Sequence, residues 1–268
     1  MLQNGLIGSR SRPVAAQGEI RKARPSPLRQ SSAREMAGMV DVEPAPIYAP
    51  ATLSDSTCAT CHRPSAACVC DRIVSFPTQR RVLILQHPQE QDALLGSAQI
   101  LAASLPKARI VVGLSWRNLA HALGEEGVDV QRWAVLFPDS ESEGDQVTGR
   151  GGVVSAPEAL QGIVVLDGTW SKAKTLWWRN PWLLKLKRMT LKPGQPSIYG
   201  RLRAEPRREF VSTLESVAAA LSLCGEAPEI EAGLTRVFRT LVQRVRDANL
   251  IPPPARRAAR PIGPRTTK

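Results

Sequence analysis

Two groups of residues in this chain have the types and spacing to do chemistry. One is Asp167-Gly168-Thr169-Trp170. The four residues before it, 163–166, are Ile-Val-Val-Leu, an apolar run rich in β-branched side chains that suits a strand buried on both faces. Asp167 and Gly168 close the run with a turn signal. A helical stretch over 169–178 follows, with Thr169 at a candidate N-cap position. Ligands of open α/β sheets sit beyond the carboxyl ends of the strands. An acid held there by a rigid strand, beside a glycine that admits a ligand closely, is well placed for chemistry. The competing reading is that Asp167 only caps the next helix.

The other group is Cys58-Ala-Thr-Cys61 followed by Cys68-Val-Cys70. A C-x-x-C turn brings two thiolates to one metal, and six residues later the chain supplies two more. Four soft ligands in this spacing suit a closed tetrahedral zinc site with no open position for substrate, so its expected work is structural. His62 is a conceivable substitute ligand, and a set of ordinary reduced cysteines is the alternative. Cys224 stands alone in an apolar helical stretch and reads as core. Of five cysteines, four fall between positions 58 and 70, which argues against a secreted disulfide framework.

The elements that must hold these groups follow from periodicity. Residues 81–86, RVLILQ, read as a buried strand. Pro88 stops it and presents His87 at its end, as a base, a ligand contact or a core histidine. Residues 92–105 have a helical apolar pattern, 109–113 read as a strand, 116–123 as a short helix and 133–137 as a third strand. His121 reads as structural. Residues 139–152 read as a flexible loop; the Gly149-Arg-Gly-Gly152 stretch lacks the Lys and Ser/Thr of a phosphate loop. Alternating strands and helices up to residue 166 imply an α/β domain with a mostly parallel sheet. Ser212 and Thr213 read as the cap of a helix ending at 223, and 229–250 as a long amphipathic helix.

Composition sets the setting. The chain has 268 residues and a net charge of +12, which points to a polyanionic partner, nucleic acid first and an anionic membrane surface second. Lys172, Lys174, Arg179, Lys185, Lys187, Arg188 and Lys192 crowd one region together with Trp170, Trp177, Trp178 and Trp182. Most of these tryptophans read as core and one or two as stacking surfaces for unpaired bases, with the cations meeting phosphates. No apolar run approaches the ~20 residues of a membrane helix, and the opening residues have no secretory apolar core; the expected location is cytoplasmic. The domain reading is a disordered basic arm over 1–52, a zinc element over 53–76, a catalytic domain over 77–250 and a disordered basic tail over 251–268. Met36 and Met39 are alternative starts.

Four motifs in order resemble the DTW-domain family. They are the C-x-x-C-x-R-P and C-x-C element with Arg63 and Pro64, and His87-Pro88-x-Glu90 with Gly96-Ser97-Ala98 where the family has G-T-A. Asp167-Gly168-Thr169-Trp170 is the third, and Tyr199, Arg201, Arg203, Ser212, Thr213 and Glu215 form the fourth. The resemblance covers about residues 58–246. It implies a fold similar to the SPOUT group, a parallel α/β sheet ending in a C-terminal trefoil knot, and S-adenosylmethionine as co-substrate. It further implies an enzyme similar to bacterial tRNA-uridine aminocarboxypropyltransferases. These move the 3-amino-3-carboxypropyl group to N3 of a uridine in the variable loop of tRNA, and 5′-methylthioadenosine is released. On that resemblance Asp167 is the base for N3–H or the acceptor that holds it, with Thr169 and Trp170 beside it. His87, Gly168, Tyr199, Ser212, Thr213 and Glu215 are expected around the donor, Lys172, Lys174, Arg201, Arg203, Arg207 and Arg208 on RNA (the four arginines on its phosphates or on the donor carboxylate), and Cys58, Cys61, Cys68 and Cys70 on Zn2+. A SPOUT-type RNA methyltransferase and a non-catalytic zinc-containing RNA-binding protein are the alternatives.

Overall fold

The computed structural model describes residues 56–137, 144–192, 194–200, 202–203 and 211–251. The readings of the arm over 1–52 and of the tail lie outside the described residues, except at residue 251, and so does the chain through Arg201, Arg207 and Arg208.

Six strands form one sheet: β1 (Arg81–Gln86), β2 (Ala108–Val112), β3 (Trp133–Leu136), β4 (Gln146–Thr148), β5 (Gly162–Asp167) and β6 (Lys187–Thr190). Their order is β2-β1-β5-β3-β6-β4. The first five in this order pair in parallel, and β4 runs antiparallel against β6. The mostly parallel α/β sheet is therefore as expected. Side chains alternate across it, as the pleat requires. Leu83, Leu85 and Val164 face one side, packed with Trp133, Trp182 and helix α2 (Leu119–Leu123). Val82, Ile84, Ile163 and Val165 face the other, under α1 (Ala98–Ser104), α4 (Thr213–Leu223) and α5 (Pro228–Asp247). Both faces are covered, which is why the central strands read as continuous apolar runs.

Several boundaries differ from expectation for local reasons. The helix expected over 92–105 begins only at Ala98 because side chains take three successive carbonyls ahead of it. Arg63 donates to the Leu94 and Gly96 oxygens, and the Tyr199 hydroxyl donates to that of Leu95. The short helix expected from 116 begins at Leu119, where the Asn118 side chain accepts from the His121 amide as its cap. Within the loop expected over 139–152, Gln146–Thr148 is strand β4. Strand β6 was hidden in the basic stretch, since only Met189 and Thr190 of its four residues are buried.

The cysteine-bearing segment expected to hold zinc shares the main core rather than standing apart. Ala67 and Val69 are buried within it, and Arg244 of α5 grips Asp71 at 2.8 and 2.9 Å and donates to the Cys68 carbonyl. Downstream, Phe76 lies so close to α5 that a Cβ at Gly233 would come within 2.1 Å of its ring. A glycine inside a helix costs about 1 kcal/mol; here it lets the segment entering β1 lie flush on α5. Among the described residues, no helix is long and apolar enough to cross a membrane.

Candidate active site at the carboxyl ends of the central strands

β1 leads outward to β2 while β5 leads the opposite way toward β6, so the chain diverges between these two neighbouring strands. Their last residues, Gln86 and Asp167, are register partners. This divergence is where open α/β sheets bind ligands. Asp167 shares its face with Ile163 and Val165 and so turns toward the start of α4. There the Thr213 hydroxyl donates to Oδ1 at 2.6 Å, while the Gln86 amide donates to Oδ2 at 2.8 Å. The residue is only 7% exposed. Burial pushes its carboxyl above the usual carboxylate range; the Thr213 and Gln86 hydrogen bonds oppose that, the Glu90 charge adds to it and the Arg203 charge opposes it.

The carboxylate does not cap α3 (Trp170–Arg179), since its oxygens are taken up by Gln86 and Thr213. Thr169 holds the N-cap position without a side-chain cap, its hydroxyl 3.3 Å from that of Ser171. Gly168 makes the turn compact: a Cβ there would sit 2.9 Å from the Lys172 Cβ. His87 is partly buried; its amide donates to the Asp167 carbonyl and its Nδ1 accepts from the Gln89 amide. It therefore fixes the backbone around the acid.

A second buried acid, Glu90, lies alongside. Lys172 Nζ reaches it at 2.7 Å and Arg203 at 3.8 Å. Arg203 also lies over the Tyr199 ring, 5.2 Å from its centroid. Lys172 and Arg203, expected on an RNA face, are thus drawn inward to a carboxylate, whereas Lys174 is exposed. Tyr199 is buried with its ring edge-on to Phe238. Ser212 and Glu215 form a complete capping box on α4, and Glu215 also accepts from the Ile198 amide and the Ser197 hydroxyl. These two residues hold the 197–198 loop to the helix start. Sequence reasoning missed Gln86, which looks like any strand residue, and missed that Glu90 gathers the cations.

In front of this layer lies an open cleft of about 920 Å3. Gly168, Trp170, Lys174, Thr213 and Glu215 are among its walls. Trp177 stacks obliquely on Phe137 at 4.9 Å and Trp182 is buried, as expected of core, while Trp170 and Trp178 are exposed.

The four cysteines converge as their spacing implied. Their sulfurs all lie within 4.8 Å of one another, with Cys58–Cys70 and Cys61–Cys68 each at 3.8 Å. Four thiolates about 2.3 Å from a tetrahedral ion are about 3.8 Å apart along each edge, so this donor set fits zinc. Amides of Cys61 and Thr60 bring the Cys58 thiol down to about 6, while burial pushes Cys70 up. Cys224 is buried in the core and its thiol is pushed up to about 11 by that burial.

Comparison with known proteins agrees with the motifs. The DTW domain model matches residues 55–246. The mouse tRNA-uridine aminocarboxypropyltransferase 2 is 30% identical over 193 residues, covering 69% of this chain and 61% of that protein. The Drosophila melanogaster protein of the same name is 30% identical, covering 69% and 72%. The tRNA-uridine aminocarboxypropyltransferase A of Arabidopsis thaliana is 27% identical over 210 residues, covering 69% and 79%. The chain spans about 61% of the length of the macaque and mouse relatives it matches. No solved structure matches it.

Proposed function

The chain belongs to the DTW-domain family, and on that premise we propose that it transfers the 3-amino-3-carboxypropyl group of S-adenosylmethionine to N3 of a tRNA uridine. The observation that carries this reading is Asp167: an acid with raised proton affinity, fixed by Gln86 and Thr213, one residue from a glycine that lines a large cleft. Uridine N3–H is a weak acid, and a base works better as its own proton affinity approaches that of the group it must deprotonate.

In the proposed step the Asp167 carboxylate takes the N3 proton. The freed nitrogen pair forms the bond to the γ-carbon of the donor's methionine chain. The carbon–sulfur bond breaks with its pair passing to sulfur, and 5′-methylthioadenosine departs as a neutral thioether. The sulfonium already carries the charge that makes it a leaving group, so zinc has no part at the reacting carbon. Bound to Cys58, Cys61, Cys68 and Cys70, the ion holds the turn that carries Arg63. Gly168, Thr213 and Glu215 would flank the donor and Trp170 would pack beside it, while His87, Tyr199 and Ser212 keep those walls in place. Thr169 belongs to the turn that follows the acid.

We further read the parallel strands as a SPOUT-like sheet with a C-terminal trefoil knot, formed by residues 77–250 and preceded by the zinc element over 53–76. The modified uridine lies in the variable loop of cytoplasmic tRNA, with Arg201, Arg207 and Arg208 on its phosphates. Mass spectrometry of tRNA nucleosides after incubation with the purified protein and S-adenosylmethionine tests the reaction. A uridine heavier by one aminocarboxypropyl group, with methylthioadenosine formed, is the expected result. A methylated nucleoside with S-adenosylhomocysteine would make the protein a methyltransferase, and binding without donor consumption would make it an RNA-binding protein. Asp167→Asn is expected to lower turnover by roughly 10²- to 10⁴-fold with tRNA binding retained.

A further inference from the structure

Beyond Trp170, one side of α3 has no part in the proposed step. Trp170, Lys174 and Trp178 occupy positions i, i+4 and i+8 of α3, which places them along one side of the helix. All three line the cleft, the two rings are 49% and 72% exposed, and the lysine between them is exposed as well. Large aromatic rings are normally well covered, as Trp182 of the same region is and as Trp177 is in part. Here two are substantially exposed on a single ten-residue helix whose N-cap, Thr169, follows the Asp167-Gly168 turn. At 1.5 Å per residue the ridge runs about 12 Å outward from the acid.

We propose that this ridge is a stacking platform for unpaired RNA nucleotides flanking the uridine that enters the cleft. The platform deepens the proposed transfer reaction and rests on its RNA substrate. Base faces stack on exposed indoles regardless of sequence, whereas a duplex hides those faces inside its helix. Charge completes the match. α3 carries Lys172, Lys174 and Arg179 and no acid. Among the described residues Lys174 has no ion-pair partner, while Lys192 and Arg239 line the same cleft. A cation set between two rings meets the phosphate that joins two stacked bases. The platform therefore selects a looped-out single strand over a helical arm, and steers its uridine toward Asp167.

The test compares the full chain with Trp178→Ala, Trp178→Phe and Lys174→Ala. Fluorescence anisotropy at fixed salt reads binding to a single-stranded oligoribonucleotide of mixed sequence and to a blunt-ended RNA duplex of equal length. Trp178 is mostly exposed, so the variants should keep the wild-type thermal midpoint, which is measured alongside. Trp178→Ala is expected to weaken single-strand binding on the order of tenfold and leave duplex binding within about twofold. Trp178→Phe restores most of the loss. Lys174→Ala weakens both ligands together and flattens their salt dependence. Equal losses on both ligands with Trp178→Ala, or none, overturn the platform. So does a fall in molecular mass with Trp178→Ala at unchanged RNA affinity, which would mean that the ridge is buried between two copies of this chain. If the wild type binds single strands through Trp178 but makes no aminocarboxypropyl product, the reaction is wrong and the platform stands. If it modifies tRNA while Trp178→Ala binds normally, the reverse holds.

Discussion

The proposed step asks Asp167 to be two things: a carboxylate that takes a proton, and a side chain almost wholly removed from water. Burial dominates its titration and raises its pKa despite two hydrogen bonds. An unfolded chain would titrate this aspartate near ~3.9. Below that value the residue is neutral in both states and carries no penalty. As pH climbs through the interval up to the raised folded value, the unfolded state ionises first, and stability is lost. Above the folded value the loss is complete. Asn has nearly the same shape and never ionises, and the Thr213 hydroxyl and Gln86 amide can reorient to meet it. Asp167→Asn is therefore expected to raise the thermal midpoint at neutral pH by about 2–4 °C, equivalent to about 1 kcal/mol. The gain should shrink as pH falls below the folded value and vanish below the unfolded one. Melting curves from acid to neutral pH check this, and a lower midpoint at neutral pH would show that the ionised form is stabilised instead. Turnover should move the opposite way along pH, rising as the carboxylate loses its proton.

The start of α4 and the cysteine turn set that environment, and they differ in how far the sequence announces them. Ser212 with Glu215 is a capping-box pattern and α4 begins where it says, at Thr213. The run before Asp167 likewise reads directly as a buried strand. Strand β6 does not, because four residues opening on Lys-Arg give period-2 alternation nothing to show. Nor does the late start of α1, since its missing turn is decided by Arg63 and Tyr199, distant side chains that capture its carbonyls. The spacing of the cysteines was legible; that Arg63 ties their turn to residues 94–96 was not. From there the Ser97 hydroxyl accepts from the Leu214 amide, so metal loss should be felt at Thr213. The protein should contain one zinc per chain by elemental analysis. Chelation should lower the thermal midpoint by at least about 5 °C, equivalent to roughly 2 kcal/mol for a domain this size. Turnover should fall and return when zinc is restored. A midpoint indifferent to chelator would detach the ion from the fold.

At the scale of the whole chain the positive charge is uneven. Residues 252–268 hold four arginines and one lysine and no acid, nearly half of the net +12. Deleting them should make the decline of RNA affinity with salt shallower, by about 0.7–0.9 in the log–log slope for each phosphate no longer neutralised. Titrations at several salt concentrations read this, and an unchanged slope would remove the tail from the RNA-bound surface. The sheet order has its own implication for how the protein comes into being. Gln86 and Asp167 are 81 residues apart, and Thr213 lies 46 further on. On a ribosome adding roughly 5–20 residues per second, the acid leaves synthesis about 2–9 s before the hydroxyl that completes its surroundings. For that interval the nascent chain carries a solvated aspartate of ordinary acidity at an unfinished strand end. The surroundings of Asp167 that the proposed reaction uses are complete only once the chain from Thr213 onward has arrived, so a ribosome that stalls before α4 leaves the acid without its hydroxyl partner.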